Sequence, residues 1–437
     1  MLVERLEISV FAVKMHGDEL LIVAGDDKPV ILAQNLRAGE RHGDIADGQI
    51  DVRVHDGHDV DPQAHGRKDG DDQGEELTFH LEPSFLLKHA ASLLSSVLFS
   101  VSSAISSLDS SFCSVWGAKW RLSMPPMATE KSAKGQVTDG LVAYYGDMAR
   151  SGPGLIIQEH SFVSPEGRAS ANQVSLAADA DIPGLQRLTA AVHAQGVPIL
   201  AQISHAGSAA HRAITGQEVI SASAVSNPSR AASVQGQPEF PREMTQGDIQ
   251  RIVQAFVDAA VRAQQAGYDG VEIHSAHGYL LDQFYSPVTN KRNDDYTGQT
   301  LAGRTRLHVE IIQAIRRQVG SDFVLSLRLG GSDYMDGGAV VGDVSEAAKV
   351  FETAGIDMLS LSGGMSVFFR PGHTEAGYFA ELSAAAKKGT TLPVLLTGGI
   401  ADGAEAEAFL EKGQADLIGI GRAALRDHQI YQKILLM

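Results

Sequence analysis

The chain has 437 residues, 43% hydrophobic and 20% charged, with 45 Gly, 15 Pro and a formal net charge of −17 at pH 7. This composition belongs to a soluble globular protein and excludes coiled-coil, collagen-like and wholly disordered chains; the negative charge argues against nucleic acid or an anionic membrane as partner. The lone cysteine, Cys113, cannot make an intrachain disulfide, a CxxC pair or a four-thiolate cluster, and the chain reads as cytoplasmic.

The charge is concentrated at the start. Residues 1–120 hold 20 Asp+Glu against 10 Lys+Arg, so this quarter carries −10 of the −17. From Arg41 to Gly74, 22 of the 34 residues are Asp, His, Gly or Arg. His42, His55, His58 and His65 lie there without a regular ligand spacing, so a solvated polar segment is expected rather than a metal site. Ala90–Leu108 has nineteen residues without a charge, but eight are serine and the stretch is not N-terminal, which argues against a membrane span. Glu4, Arg5 and Glu7 interrupt any signal peptide.

Around Trp120 the texture changes to short apolar runs alternating with amphipathic stretches. The expected strands are Trp120–Met124, Gly154–Glu159, Pro198–Ile203, Gly270–His274, Phe323–Leu329, Met358–Ser362, Pro393–Thr397 and Ala415–Ile420. Between them, Thr245–Ala266 reads as a helix with Thr245 as N-cap, Gly267 as terminator and Ile249, Ile252, Val253, Phe256, Ala260 and Val261 on one face. Eight βα units predict a closed (β/α)8 TIM barrel, with a doubly wound sheet as the alternative.

A barrel places its active site just past the strand ends. There stand Pro126, Met127 and Ala128 after strand one, His160 after strand two, and Gln202 in strand three. His274, His277 and Tyr279 follow strand four, Arg328 lies in strand five, and Gly364 follows strand six. Gly398 and Gly399 follow strand seven, and Gly421 and Arg422 follow strand eight. Glycines after the last two strands let backbone N–H groups approach a ligand, and with Arg422 they suit a monophosphate; tight turns are the plainer use. Gln202 and Arg328 offer the amide and the cation that an isoalloxazine ring needs, although Arg328 could instead pair with Glu159 or Glu272.

MPPMATEKS (124–132), IIQEHSFVSPEGR (156–168), ILAQISHAG (199–207), VEIHSAHGYLLDQFYSPVTNKRNDDYTG (271–298), LSLRLGGSDY (325–334), LLTGGI (395–400) and IGIGRAAL (418–425) resemble the old yellow enzyme family of FMN-dependent NAD(P)H oxidoreductases and ene-reductases. The resemblance implies that Pro126, Met127, Ala128 and His160 border the flavin and that Gln202 and Arg328 bind its pyrimidine. It implies that Gly364, Gly398, Gly399, Gly421 and Arg422 hold the phosphate, that His274 and His277 bind a substrate carbonyl oxygen, and that Tyr279 protonates Cα. No metal is implied. The partners would be an activated alkene and NAD(P)H, taken in turn on one face of the ring, with a homo-oligomer as the assembly considered.

The chain departs from the family at Ala128, where many members have Thr or Cys, and at His160, where they have a small residue. SVWGAKWRLSMPPM also replaces the family's usual opening. Residues 1–117 are therefore expected to be an unrelated extension, disordered or a misplaced start, and 118–437 the FMN-binding barrel. Two alternatives stand beside an ene-reductase: a flavin-binding barrel impaired by a disrupted first strand, and a non-redox barrel enzyme. Phe368, Arg370 and Tyr378, after strand six, are expected to shape substrate choice.

Overall fold

The computed structural model describes residues 10–16, 19–24, 28–32, 121–233, 236 and 239–435. The chain divides into two units, Met1–Leu81 and Glu82–Met437. In the first, Val10–His16, Glu19–Ala24 and Lys28–Leu32 pair as an antiparallel sheet. Their Val, Ile and Leu content suits strands. The polar segment with its four histidines, the uncharged run, Cys113 and the 117/118 boundary lie outside the described residues. No helix among the described residues is long and apolar enough to cross a membrane.

In the second unit all eight expected strands form: Leu122–Met124, Leu155–Phe162, Ile199–Ser204, Gly270–Ser275, Val324–Ser332, Met358–Gly363, Val394–Leu396 and Leu417–Gly419. They pair in parallel in chain order. The eighth closes on the first through Ile418–Leu122 and Gly419–Ser123, and the first pairs with the second through Ser123–Leu155 and Met124–Ile156. This ring is a TIM barrel and replaces the doubly wound alternative. The first strand is paired on both sides, so the premise that it is disrupted does not hold.

Alternation along the strands sorts side chains into two cores. Outward residues such as Val271, Ile273, Leu325, Leu327, Leu359 and Leu361 pack in the layer shared with the helices. Inward residues Ile157, Leu200, Met358 and Leu395, with Leu155, Val324 and Leu417, plug the lower barrel. Two residues further along, the interior turns polar at Gln202, Glu272, Ser326 and Ser360; two further again stand His274, Arg328 and Ser362. The strand period thus lifts these last three to the carboxyl end of the barrel.

The opposite end is tied by a repeated device. Asp269, Asp357 and Asp416 each directly precede a strand and accept the backbone N–H of Ile199, Leu325 and Val394 at 2.7, 2.7 and 2.8 Å. Each also binds a basic side chain of a helix: His193, Arg316 and Lys387. The helix expected from Thr245 forms as Gln246–Gln265, with Thr245 and Asp248 in a capping box and Gly267 beyond its end at φ +81°. Ile249, Ile252, Phe256 and Ala260 are buried, and Val253 and Val261 pack against the same core.

Candidate active site

Strand four delivers His274 into the barrel mouth, and the loop after it folds back so that His277 and Tyr279 meet it. The ring centroids of His274 and His277 lie 5.0 Å apart, and those of His274 and Tyr279 5.1 Å apart, both edge to face. His277 adopts φ +65° and Gly278 φ +75°. A left-handed conformation at a non-glycine residue is strained and persists only where its surroundings enforce it. Here Asp282 accepts the Gly278 N–H at 2.6 Å, while Asn227 and Gln283 donate to the Gly278 carbonyl at 2.9 and 2.7 Å. Gln283, unremarked in the sequence reading, also takes the Ser208 N–H and donates to the Ala206 carbonyl, both at 3.0 Å, fastening the loops after strands three and four together.

Burial, reinforced by neighbouring cationic or imidazole groups, holds both histidines well below the ordinary imidazole range. They are therefore neutral, each with one N–H to give. His274 is 3% exposed, and its Nδ1 is buried without a partner. A bare acceptor is cheaper to bury there than an N–H, which leaves the proton on Nε2. Ser362 Oγ lies 2.7 Å from His277 Nε2 and accepts from Arg328 at 3.4 Å, tying the imidazole and the guanidinium to one hydroxyl. Burial, and then the Glu130 carboxylate, push the Tyr279 phenol up, so it stays protonated.

Arg328 is 5% exposed, and its Nε is buried without a partner. Among the described residues no carboxylate lies within 4.0 Å of it, so neither Glu159 nor Glu272 is its ion-pair partner. Glu159 instead accepts the N–H and hydroxyl of Thr129 at 2.8 and 2.6 Å, anchoring the loop of Pro126, Met127 and Ala128. Glu272 accepts from Gln202 at 2.7 Å and Ser326 at 3.3 Å, and burial pushes its carboxyl up. A buried guanidinium with a spare N–H calls for an electron-rich ligand beside it.

Gly398 at φ +119°, Gly399 at φ +80° and Gly421 form the second half of the site. Among the described residues their N–H groups have no protein acceptor. A Cβ on Gly421 would lie 2.7 Å from Met127 Sδ, so this loop must be bare to sit against the first. Arg422 donates to the Tyr378 hydroxyl at 2.8 Å and, among the described residues, has no carboxylate partner. Free backbone donors beside an uncompensated cation fit a phosphate.

Three placements differ from expectation. Strand two runs on to Phe162, so His160 lies within it rather than after it. Gly364 donates its N–H to Ser332 at 2.8 Å, and a Cβ there would lie 2.3 Å from Asp333 Oδ1; it packs over the buried Asp282–Asp333 pair and offers no free donor. Of the strand-six residues only Phe368 reaches the histidines, 6.2 Å from the His277 ring. Arg370 binds Glu381 at 3.1 Å, and Tyr378 donates to the Phe368 carbonyl at 2.8 Å.

Residues 117–435 match the model of the NADH:flavin oxidoreductase / NADH oxidase family. The chain is 38% identical over 314 residues to the NADH oxidase of Thermoanaerobacter brockii, covering 70% of this chain and 47% of that one, so it spans about half that relative's length. It is 36% identical over 315 residues to the NADPH dehydrogenase of Bacillus subtilis, covering 71% of this chain and 88% of that one. The solved structure of the old yellow enzyme homologue from Zymomonas mobilis superposes with a TM-score of 0.64 at 26% identity, covering 72% of this chain and 88% of that one. The chain belongs to the NADH:flavin oxidoreductase / NADH oxidase family, the old yellow enzyme group, with FMN as its cofactor.

Proposed function

We propose that this chain is an FMN-dependent NAD(P)H oxidoreductase that reduces the C=C bond of α,β-unsaturated carbonyl compounds or related activated alkenes. One observation carries the reading: two neutral imidazoles and a protonated phenol converge at the barrel mouth, next to a guanidinium whose Nε has no partner among the described residues. Gln202 and Arg328 would hold the pyrimidine side of FMN, the backbone of Pro126, Met127 and Ala128 its edge, and Gly398, Gly399, Gly421 and Arg422 its phosphate. FMN, when bound, supplies hydride to the alkene β-carbon.

The chain's own groups complete the reaction. His274 and His277 donate to the carbonyl oxygen on which negative charge gathers, a stabilisation that grows toward the transition state. Tyr279 gives its proton to Cα. Phe368 limits the mouth on the His277 side. NAD(P)H and alkene take turns at this mouth, so residues 118–437 suffice for both half-reactions. The partners are small molecules of the cytoplasm.

Purified protein is expected to be yellow, to bleach with NADH or NADPH without oxygen, and to regain colour with an enone. A preparation that stays colourless after incubation with FMN, or that binds a sugar phosphate instead, would refute the proposal in favour of a non-redox barrel. Arg328→Met is expected to weaken FMN binding about 10- to 100-fold, the range of a hydrogen bond to a charged group, as read by flavin fluorescence on dilution. The fold should survive, because Glu272, already biased toward its protonated form, can take up a proton when the cation is lost. An FMN affinity within twofold of the parent's would remove Arg328 from the site.

A further inference from the structure

Where strand two pairs with strand three, Gln158 lies opposite Ala201 and Ser161 opposite Ile203. Glu159 and His160 therefore share the single position opposite Gln202. This is a β-bulge, a device that re-aims a side chain beside a functional site. The His160 ring stacks on Tyr279 with centroids 5.5 Å apart and lies 6.3 Å from the His274 ring. A third imidazole thus borders the space faced by the other two.

Its donor direction is fixed by a chain of bonds. The Ala169 backbone N–H, which can only donate, gives its proton to Gln173 Oε1 at 2.6 Å. That sets the amide orientation, so Gln173 Nε2 donates both to Ser204 Oγ at 3.1 Å and to His160 Nδ1 at 2.9 Å. Nδ1 must accept, and the imidazole proton therefore sits on Nε2. Burial pulls the group down to about 4, so it stays neutral. Among the described residues no protein group accepts from Nε2, and no set of three or more His, Cys, Asp and Glu side chains is placed to hold a metal ion.

We propose that His160 is a specificity-determining residue whose Nε2–H binds a second carbonyl oxygen of the substrate, favouring cyclic enediones over simple enones. This rests on the ene-reductase reading, in which His274 and His277 hold the first carbonyl. A neutral second oxygen is preferred to a carboxylate, because the donor carries no charge and the Glu130 carboxylate lies close enough to raise the Tyr279 phenol.

The test uses the full flavin-loaded chain and two unreactive ligands, cyclohexane-1,4-dione and cyclohexanone, with affinities measured by calorimetry. Two equivalent carbonyls give the dione a statistical advantage of about twofold; one added neutral hydrogen bond raises the preference to about 5- to 25-fold. His160→Phe keeps a ring against Tyr279 but has no N–H, and should return the ratio to the statistical value. His160→Gln places an amide N–H near the original Nε2 and should restore much of it. A parental ratio of about two, or a preference that persists in His160→Phe, overturns the proposal and leaves His160 as packing for Tyr279. Flavin colour and its bleaching by NAD(P)H, scored on the same samples, report on the underlying reading separately, because the ligand ratio requires no turnover.

Discussion

His274→Ala is expected to lower kcat/KM for enone reduction by about 10²–10³, the loss seen when one donor to a developing oxyanion is removed. The imidazole is 3% exposed and touches both His277 and Tyr279, so truncation also admits water to the place where the carbonyl oxygen must be dry. His277→Asn should cost less. Asn can still donate, and it tolerates the left-handed φ of +65° better than most residues. His277→Ala would confound donor loss with backbone strain, so Asn is the cleaner partner. Because both imidazoles act on one oxygen, the double variant His274→Ala/His277→Asn should fall short of the product of the two losses. Steady-state kinetics on an enone, with thermal midpoints as a control, measure this. Full additivity would place the two histidines on different substrate atoms.

The barrel was legible because parallel strands covered on both faces appear as short continuous apolar runs, and all eight stood out. The candidate stretch around His274, His277 and Tyr279 stood out because it follows a strand end and resembles one continuous family motif, so a single local segment brings these three rings together. The rest depends on contacts between distant segments. Nothing in QEHSF announces the extra residue of a bulge, and without it His160 is placed one step past its strand. Gln173 looks like an ordinary loop amide until folding sets its oxygen on the Ala169 N–H and its nitrogen on His160. The glycines looked alike in sequence, yet Gly398, Gly399 and Gly421 present free N–H groups while Gly364 gives its own to Ser332. Arg370 and Tyr378 share the loop after strand six with Phe368, but only folding shows that their bonds go to Glu381 and Arg422.

Tyr279→Phe should separate the two halves of alkene reduction. Hydride delivery needs the carbonyl polarised by His274 and His277, which the variant retains, whereas protonation of Cα needs the lost phenol. For an alkene whose enolate is slow to take a proton from water, turnover should fall by about 10²–10⁴, the usual contribution of a positioned general acid. A nitroalkene, whose nitronate persists in water, should release the unprotonated product instead of stalling. Bleaching by NAD(P)H should be little changed, because that half-reaction needs no proton from Tyr279. The parent's pH profile carries the same assignment. The phenol is raised above its usual 10.0, so alkaline loss of the acid lies beyond that value. Both imidazoles are lowered from 6.5, so their charging lies on the acid side of it. The substrate-reduction rate should therefore be level from about pH 6.5 to about pH 9. A rise in rate through neutral pH that vanished in Tyr279→Phe would mean that the phenol ionises there and acts as a base rather than an acid. An unchanged rate in Tyr279→Phe across this range would assign the proton to water.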